Sequence, residues 1–290
     1  MPISKDRSGD SRANGQSATT IPRSSSGTRP VRYISLGSGS PQSVDGEVVE
    51  EALSCLSVNG QELATFMCSP RDLDKMALGF LFNEGLIQRR EDVRSLHISR
   101  NETCVDVWLR DGEAALPDRP IVTAGCGGGV TFDDLSGEHS PLQVDLRATA
   151  TQLAKLMRKM HLGATLYQRA RGIHTAALAD GDELLMQVED VGRHNCLDKL
   201  AGAALLDNVE TRGRIVLTSG RISSEMLNKA RRLQTPIVCS RTSPTSLSVA
   251  LAEAWNITIV AYLRQERMRC LLYTSPSPRD RTRSRMPSSA

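Results

Sequence analysis

Hydrophobic and polar residues exchange places with two distinct periods along this chain. Through EALSCLSVNGQELATFMCS (51–69) they alternate on both sides of Asn59-Gly60, the pattern of two half-buried strands joined by a tight turn. In SPRDLDKMALGFLFNEGLI (69–87) the spacing lengthens. Leu73, Met76, Ala77 and Phe80 recur at helical intervals, with Ser69 as N-cap and Pro70 as the first helical residue. SLHISRNETCVDVWL (95–109) returns to alternation around Asn101 and predicts a second hairpin. Residues 31–120 therefore read as a smaller N-terminal α+β domain.

The stretch RDGEAALPDRPIVTAGCGGG (110–129) has the Pro and Gly content of a linker, and 121–140 reads as a Gly-rich loop between two domains. After it, DLRATATQLAKLMRKM (145–160) is an amphipathic helix with Leu146, Leu153, Leu156 and Met160 on its apolar side. HTAALADGDELLMQVED (174–190) predicts two strands around Asp180-Gly181. Three units then share one order of strand, turn and helix: ELLMQVED-VGR-HNCLDKLAGAALL, RIVLTSG-RISSEMLNKARRL and PIVCSR-TSPTSLSVALAEAW, followed by the strand ITIVAYL. Short β-branched runs separated by helices of about a dozen residues indicate parallel strands with right-handed crossovers. Residues 141–269 are thus expected to form an α/β domain.

The 290 residues, 39% of them hydrophobic, suffice for one large or two modest domains. The longest apolar runs, ITIVAYL among them, fall well short of the roughly 20 residues that span a bilayer, so no membrane association is expected. Residues 1–30 hold ten Ser/Thr and almost no apolar side chains, and read as a disordered leader. Residues 270–290 have neither period nor core residues and read as sequencing-adapter read-through. That tail carries four Arg and one Asp, which accounts for the whole formal charge of +3. With the remaining charges balanced and no basic stripe with interleaved aromatics, nucleic acid is not an expected partner. The seven cysteines form no C-x-x-C pair, which suggests reduced thiols in a cytoplasmic protein. Cys55, Cys68, Cys104 and Cys239 in strand-like contexts and Cys196 in a helical one read as buried, inert thiols.

Chemistry collects in two places. In an open parallel sheet, strand carboxyl ends and helix N-termini face one edge, where N–H groups and helix dipoles favour anions. Glu189, Asp190, Gly192, Arg193, His194 and Asn195 fall at the first such turn; Ser219, Gly220 and Arg221 at the second; Ser240, Arg241, Thr242 and Ser243 at the third. Tyr262, Arg264 and Arg267 leave the last strand at the same edge. Arginines on successive units read as a phosphate-binding edge, with Ser223 and Ser243 as helix caps beneath it. Taken singly, Asp190 and His194 are equally a helix cap and a hydrogen-bonded surface residue. The second place is Cys126, before three glycines. Its thiol is open to three readings: a hydrolase nucleophile paired with His174 or His194, a persulfide carrier on a loop that moves between donor and acceptor, or a bystander in a linker. Zinc deaminase ligands are missing, since no H-x-E with P-C-x-x-C occurs, and no metal is expected.

EDVGRHNCLDKL (189–200), TSGRISSEMLNKA (218–230), SPRDL (69–73), ALGFLFNEGLI (77–87) and the Cys-Gly loop together closely resemble the FdhD family, the formate dehydrogenase accessory sulfurtransferases. The similarity runs from about Val31 to Arg269. It implies an α/β fold with a C-terminal domain like that of cytidine deaminases but without zinc, in a cytoplasmic homodimer. It also implies a sulfur carrier that takes sulfur from a cysteine desulfurase as a persulfide, passes it to the bis(molybdopterin guanine dinucleotide) molybdenum cofactor, and so serves formate dehydrogenase. By position Cys126 would bear the persulfide, and Tyr262, Leu263, Arg264, Gln265, Glu266 and Arg267 match the family's cofactor-binding stretch. Gly192, Arg193, His194, Asn195, Ser219 and Arg221 are the further residues expected around that cofactor. The chain departs from the family in having Gly129 where many members carry a second loop cysteine, and Glu266 where Gly is usual. A competing reading is a chaperone that holds cofactor or apoenzyme without moving sulfur.

Overall fold

The computed structural model describes residues 27–37, 39–99, 103–111, 121–122, 130–131, 139–144 and 146–271. Most of the leader, the tail beyond Leu271 and Cys126 itself lie outside these residues. In chain order the elements are β1 (Thr28–Ser35), β2 (Gln42–Val49), β3 (Ala52–Val58), β4 (Gln61–Cys68), α1 (Leu73–Asn83), β5 (Val93–Ile98), β6 (Cys104–Leu109), β7 (Ile121–Val122) and β8 (Val130–Thr131). There follow α2 (Ala150–Gly163), α3 (Thr165–Ala170), β9 (His174–Asp180), β10 (Glu183–Asp190), α4 (Arg193–Leu206), β11 (Ile215–Thr218), α5 (Ser224–Arg232), β12 (Ile237–Ser240), α6 (Ser246–Trp255), β13 (Thr258–Arg264) and β14 (Arg267–Cys270). This is the mixed α/β architecture that the periodicities predict.

The first four-stranded sheet runs β4-β3-β6-β5. Its β3–β4 hairpin turns at Asn59-Gly60, where both residues take positive φ (50° and 82°), a conformation the Asn-Gly pair tolerates. Cys55 and Cys104 face each other across the parallel β3–β6 pair, their Cα atoms 4.4 Å apart, and form a disulfide. The expectation of inert thiols is corrected at these two positions: each cysteine alone looks like a strand filler, and only the strand pairing brings them together. Helix α1 starts at Leu73 after Asp72 in a left-handed conformation, without a side-chain cap. The predicted Ser69-Pro70 start is therefore three residues early, and Ser69 has a different use, described below. Thr28–Pro30, assigned to the leader from composition, pair within β1 against Glu47–Val49.

The larger sheet has the order β10-β9-β11-β12-β13-β14. Strands β11, β12 and β13 are parallel neighbours, as expected. The first of the three units differs: β9 lies antiparallel between β10 and β11, so α4 carries the chain across a strand. Two antiparallel steps leave β10 pointing the same way as β11, and the shared edge of carboxyl ends is preserved. Both faces are covered. Val216, Val238 and Ile259 pack with α4, α5 and α6, while Leu217, Cys239 and Val260 pack with Leu153, Leu156 and Met160 of α2. Burial on both sides is why these strands read as continuous apolar runs.

Helices α1 and α4 join the two sheets. A Cβ on Gly79 would run into the Asp198 carbonyl oxygen, and one on Gly202 into the Lys75 carbonyl. The two helices meet backbone to backbone only because both positions are glycine. Among the described residues no helix is long and apolar enough to cross a membrane.

Candidate functional site

The loops after β11, β12 and β13 lie side by side and are tied together by main-chain hydrogen bonds. Arg241 N donates to Thr218 O at 3.4 Å, Tyr262 N to Thr242 O at 3.0 Å, and Ser219 N to Thr175 O at 2.9 Å. Ser240 Oγ donates to Gly220 O at 2.6 Å. The start of α4 completes this edge: a Cβ on Gly220 would lie 2.8 Å from Arg193 Cβ and 3.4 Å from His174 Nδ1. The sequence-predicted Arg193, Ser219 and Gly220 are thus gathered with His174, which lies 3.2 Å from Ser219 Oγ. No side chain caps the first turn of α4 after Gly192, so its N-terminal dipole is directed at this edge.

EDVGRHN takes its shape from Asp190. Its carboxylate accepts hydrogen bonds from Gly192 N (2.8 Å), Asn195 Nδ2 (2.8 Å) and Ser69 N (3.0 Å), and lies 2.6 Å from Lys199 Nζ. Ser69 replies by accepting from Val191 N through Oγ and from Lys199 through its carbonyl. Asn195 also donates to Met67 O. The end of β4 is thereby fastened to the turn that presents Arg193 and His194, and the Asn195 amide nitrogen serves that turn. Burial opposes charge on Lys199, but the Asp190 carboxylate overrides it and holds the amine above its ordinary value. A second buried pair sits one step along: Lys229 Nζ lies 2.6 Å from Asp198, which also accepts from Asn83 Nδ2. The sequence reading missed Asp198, Lys229 and Glu225. The available signal was α4 itself, apolar almost all round, which implies a buried helix whose few charges need partners.

His194 Nε2 lies 3.2 Å from Ser223 Oγ and 3.1 Å from the Glu225 carboxylate. That carboxylate favours an imidazolium, but burial prevails, aided by the Lys229 and Arg193 cations, and lowers the His194 pKa to about 2. The contact is therefore a hydrogen bond from a neutral ring. His174 is lowered too, by burial and then by Arg193. Ser223 caps α5 by accepting from Met226 N, as predicted. The cap of α6 is Thr245 rather than Ser243.

Around Tyr262–Arg267 the placements divide. Arg264, Gln265, Glu266 and Arg267 are exposed at the β13–β14 turn, and Arg269 stacks over the Tyr262 ring at 4.4 Å. Leu263 is sealed in the core with Val260, which makes its side chain structural. Arg241 leaves the expected edge and meets His161 Nδ1 at 2.9 Å. Exposed Arg221, Arg264 and Arg267 remain, with buried Arg193 and the Ser219 hydroxyl. Of the carboxylates nearby, Asp190 is engaged in the turn and Glu189 by Leu166 N and Tyr167 N, while Glu266 stands exposed between Arg264 and Arg267. Guanidinium groups, hydroxyls and an uncapped helix start suit a diphosphate-bearing ligand. No group of three His, Cys, Asp or Glu able to hold a metal occurs among the described residues. Burial pushes the Cys196 and Cys239 thiols well up, so neither is a ready nucleophile.

Fold and edge together define a mixed α/β protein built on sheets of six and four strands, with guanidinium and hydroxyl groups along one rim. The FdhD/NarQ family model matches residues 48–278. The Sulfur carrier protein FdhD of Shouchella clausii is 34% identical over 246 residues, covering 82% of this chain and 91% of that protein. Its counterpart from Bacillus subtilis is 32% identical over 251 residues, covering 82% and 92%. A crystal structure from Desulfotalea psychrophila, described as a formate dehydrogenase accessory protein, superposes with a TM-score of 0.71 at 28% identity, over 85% of this chain and 97% of that one. The chain belongs to the FdhD/NarQ family.

Proposed function

We propose that this protein is a cytoplasmic sulfur carrier in formate dehydrogenase maturation. It takes sulfur from a cysteine desulfurase as a persulfide on Cys126 and delivers it to the bis(molybdopterin guanine dinucleotide) molybdenum cofactor before that cofactor enters formate dehydrogenase. The observation that carries this reading is the rim itself: Arg193, Arg221, Arg264, Arg267 and Ser219 at adjoining strand ends suit the two diphosphates of such an acceptor. Relatives named for sulfur carriage and a structural neighbour named for formate dehydrogenase support the assignment of cargo and client.

Loading is a thiol exchange without net oxidation. The Cys126 thiolate attacks the terminal sulfur of the donor's persulfide, the S–S bond of the donor breaks, and the donor leaves as a thiolate. In delivery the terminal sulfur leaves Cys126, which recovers its thiolate while the acceptor supplies the electron pair. One thiol suffices for both steps, in keeping with Gly129. The neutral rings of His174 and His194 keep the rim free of further protonation at neutral pH.

The test is formate dehydrogenase activity in cells that depend on this protein. Cys126→Ala is expected to abolish activity while leaving the protein folded. Full activity with Cys126→Ala would instead establish a chaperone that moves no sulfur.

A further inference from the structure

A second charged surface lies at the opposite end of α4. Its 14 residues run from the rim at Arg193 to Leu206, a rise of about 20 Å, and end in a cleft of about 1170 Å³. A neighbouring hollow of about 600 Å³ shares Gln88, Arg89 and Glu91 with it, so the two form one groove. This exceeds the several hundred Å³ typical of small-molecule sites. The groove has an apolar floor, with Phe82, Leu142 and Val209 half-buried against the core.

Its walls carry charges of both signs: Arg89 pairs with Asp92, and Glu91 and Glu210 also line the groove, but Arg90, Arg212 and Arg232 form no ion pair among the described residues. Arg90 donates to Val93 O. Arg212 donates to Gln234 Oε1 and Gln143 O. Arg232 donates to Phe82 O and stacks on the Phe82 ring. These partners are all neutral. Arg232 lies in the last turn of α5, where a cation complements the helix dipole; Arg90 belongs to a single 3-10 turn, Arg90–Asp92, and Arg212 to no helix.

The Cys126-bearing part of the chain starts and ends on this groove. Arg110 and Asp111, where it departs, line the hollow, and Arg110 is fixed by Arg110 N to Asp92 O and Arg110 Nε to Glu91 O. Where it returns, Leu142 is held by Trp255 O and Asn256 Nδ2, and Gln143 by Arg212.

From this we infer that the groove is the docking surface for the protein that loads Cys126, which inserts an acidic segment with apolar anchors between Arg90, Arg212 and Arg232. The inference rests on the proposed sulfur-carrier function. Arginines around an apolar floor are the composition of protein interfaces, and docking there places a donor beside both anchors of the thiol's segment.

The test uses the full chain and the cysteine desulfurase of the same organism. Binding is followed by fluorescence anisotropy at two salt concentrations, and loading of Cys126 by mass, with inorganic polysulfide as a second sulfur source. Arg90→Glu and Arg212→Glu, separately and together, are expected to weaken desulfurase binding about ten-fold or more and to reduce its salt dependence, while polysulfide loading stays at the wild-type rate. Unchanged binding by both variants overturns the inference, as does absence of binding by the wild type. A change in the variants' own mass by light scattering would assign the groove to a second copy of this chain. Tighter binding by Asp133→Asn/Asp134→Asn would assign it to the chain's own acidic stretch. If the wild type binds through these arginines yet gains no sulfur from either source, the carrier function fails and the docking surface stands.

Discussion

Asp190 and Lys199 lie 2.6 Å apart with neither side chain touching solvent. The pair carries the turn that presents Arg193 and His194, and it closes onto Ser69 from the other sheet. Removing one partner leaves a buried charge without compensation. Lys199→Met is expected to destabilise the protein by about 3–5 kcal/mol, read as a shift in urea midpoint. A loss below about 1 kcal/mol would show that the pair is dispensable.

The α1–α4 contact gives a second prediction. Gly202→Ala places a methyl against the Lys75 carbonyl, which is backbone and has no rotamer to yield. The helices must separate, at a cost of about 1–3 kcal/mol or more. Thermal unfolding should show it, whereas Gly181→Ala, with open space around the Cβ but a positive φ, should cost about 1 kcal/mol.

Acid sensitivity follows from His194. Its pKa is lowered to about 2 in the fold against about 6.5 in an unfolded chain. Between those values the unfolded state binds the extra proton, so stability rises with pH and is lost as pH falls below about 6.5. His174 acts in the same direction. His194→Gln should flatten the stability profile between pH 6.5 and 5, where wild type loses on the order of 1–2 kcal/mol from this ring. Parallel profiles for the two proteins would contradict a neutral, buried His194.

At the rim, Arg221 is exposed and carries no structural duty in the contacts described. Arg221→Ala is expected to weaken pyrophosphate binding about ten-fold, the loss of one charge-assisted hydrogen bond, with unfolding unchanged. Equal affinity in calorimetric titration would remove Arg221 from the site.

Much of this was legible in the sequence because the signals were local. The period of two marked β3 and β4, Asn59-Gly60 marked their turn, and Ser223 marked the start of α5. What escaped was non-local. Nothing in HTAALAD says that β9 slips between β10 and β11, since that depends on which strand edge is free. Ser69 looked like a cap because Ser-Pro usually is one, yet its partner is Asp190, 121 residues away. Cys55 and Cys104, 49 residues apart, became a pair only through the β3–β6 register. At the rim, Arg193 and Ser219 were readable as strand-end residues and His174 only as a candidate partner of Cys126, whereas Glu225 gained meaning only once the turns converged.

Sulfur carriage stands or falls with the Cys126 thiol. The direct measurement is the intact mass of the protein after incubation with a cysteine desulfurase and cysteine. A carrier gains one sulfur atom, mapped to Cys126, removed by reductant and absent from Cys126→Ala. A protein that gains no mass, or gains it equally without Cys126, would contradict that role.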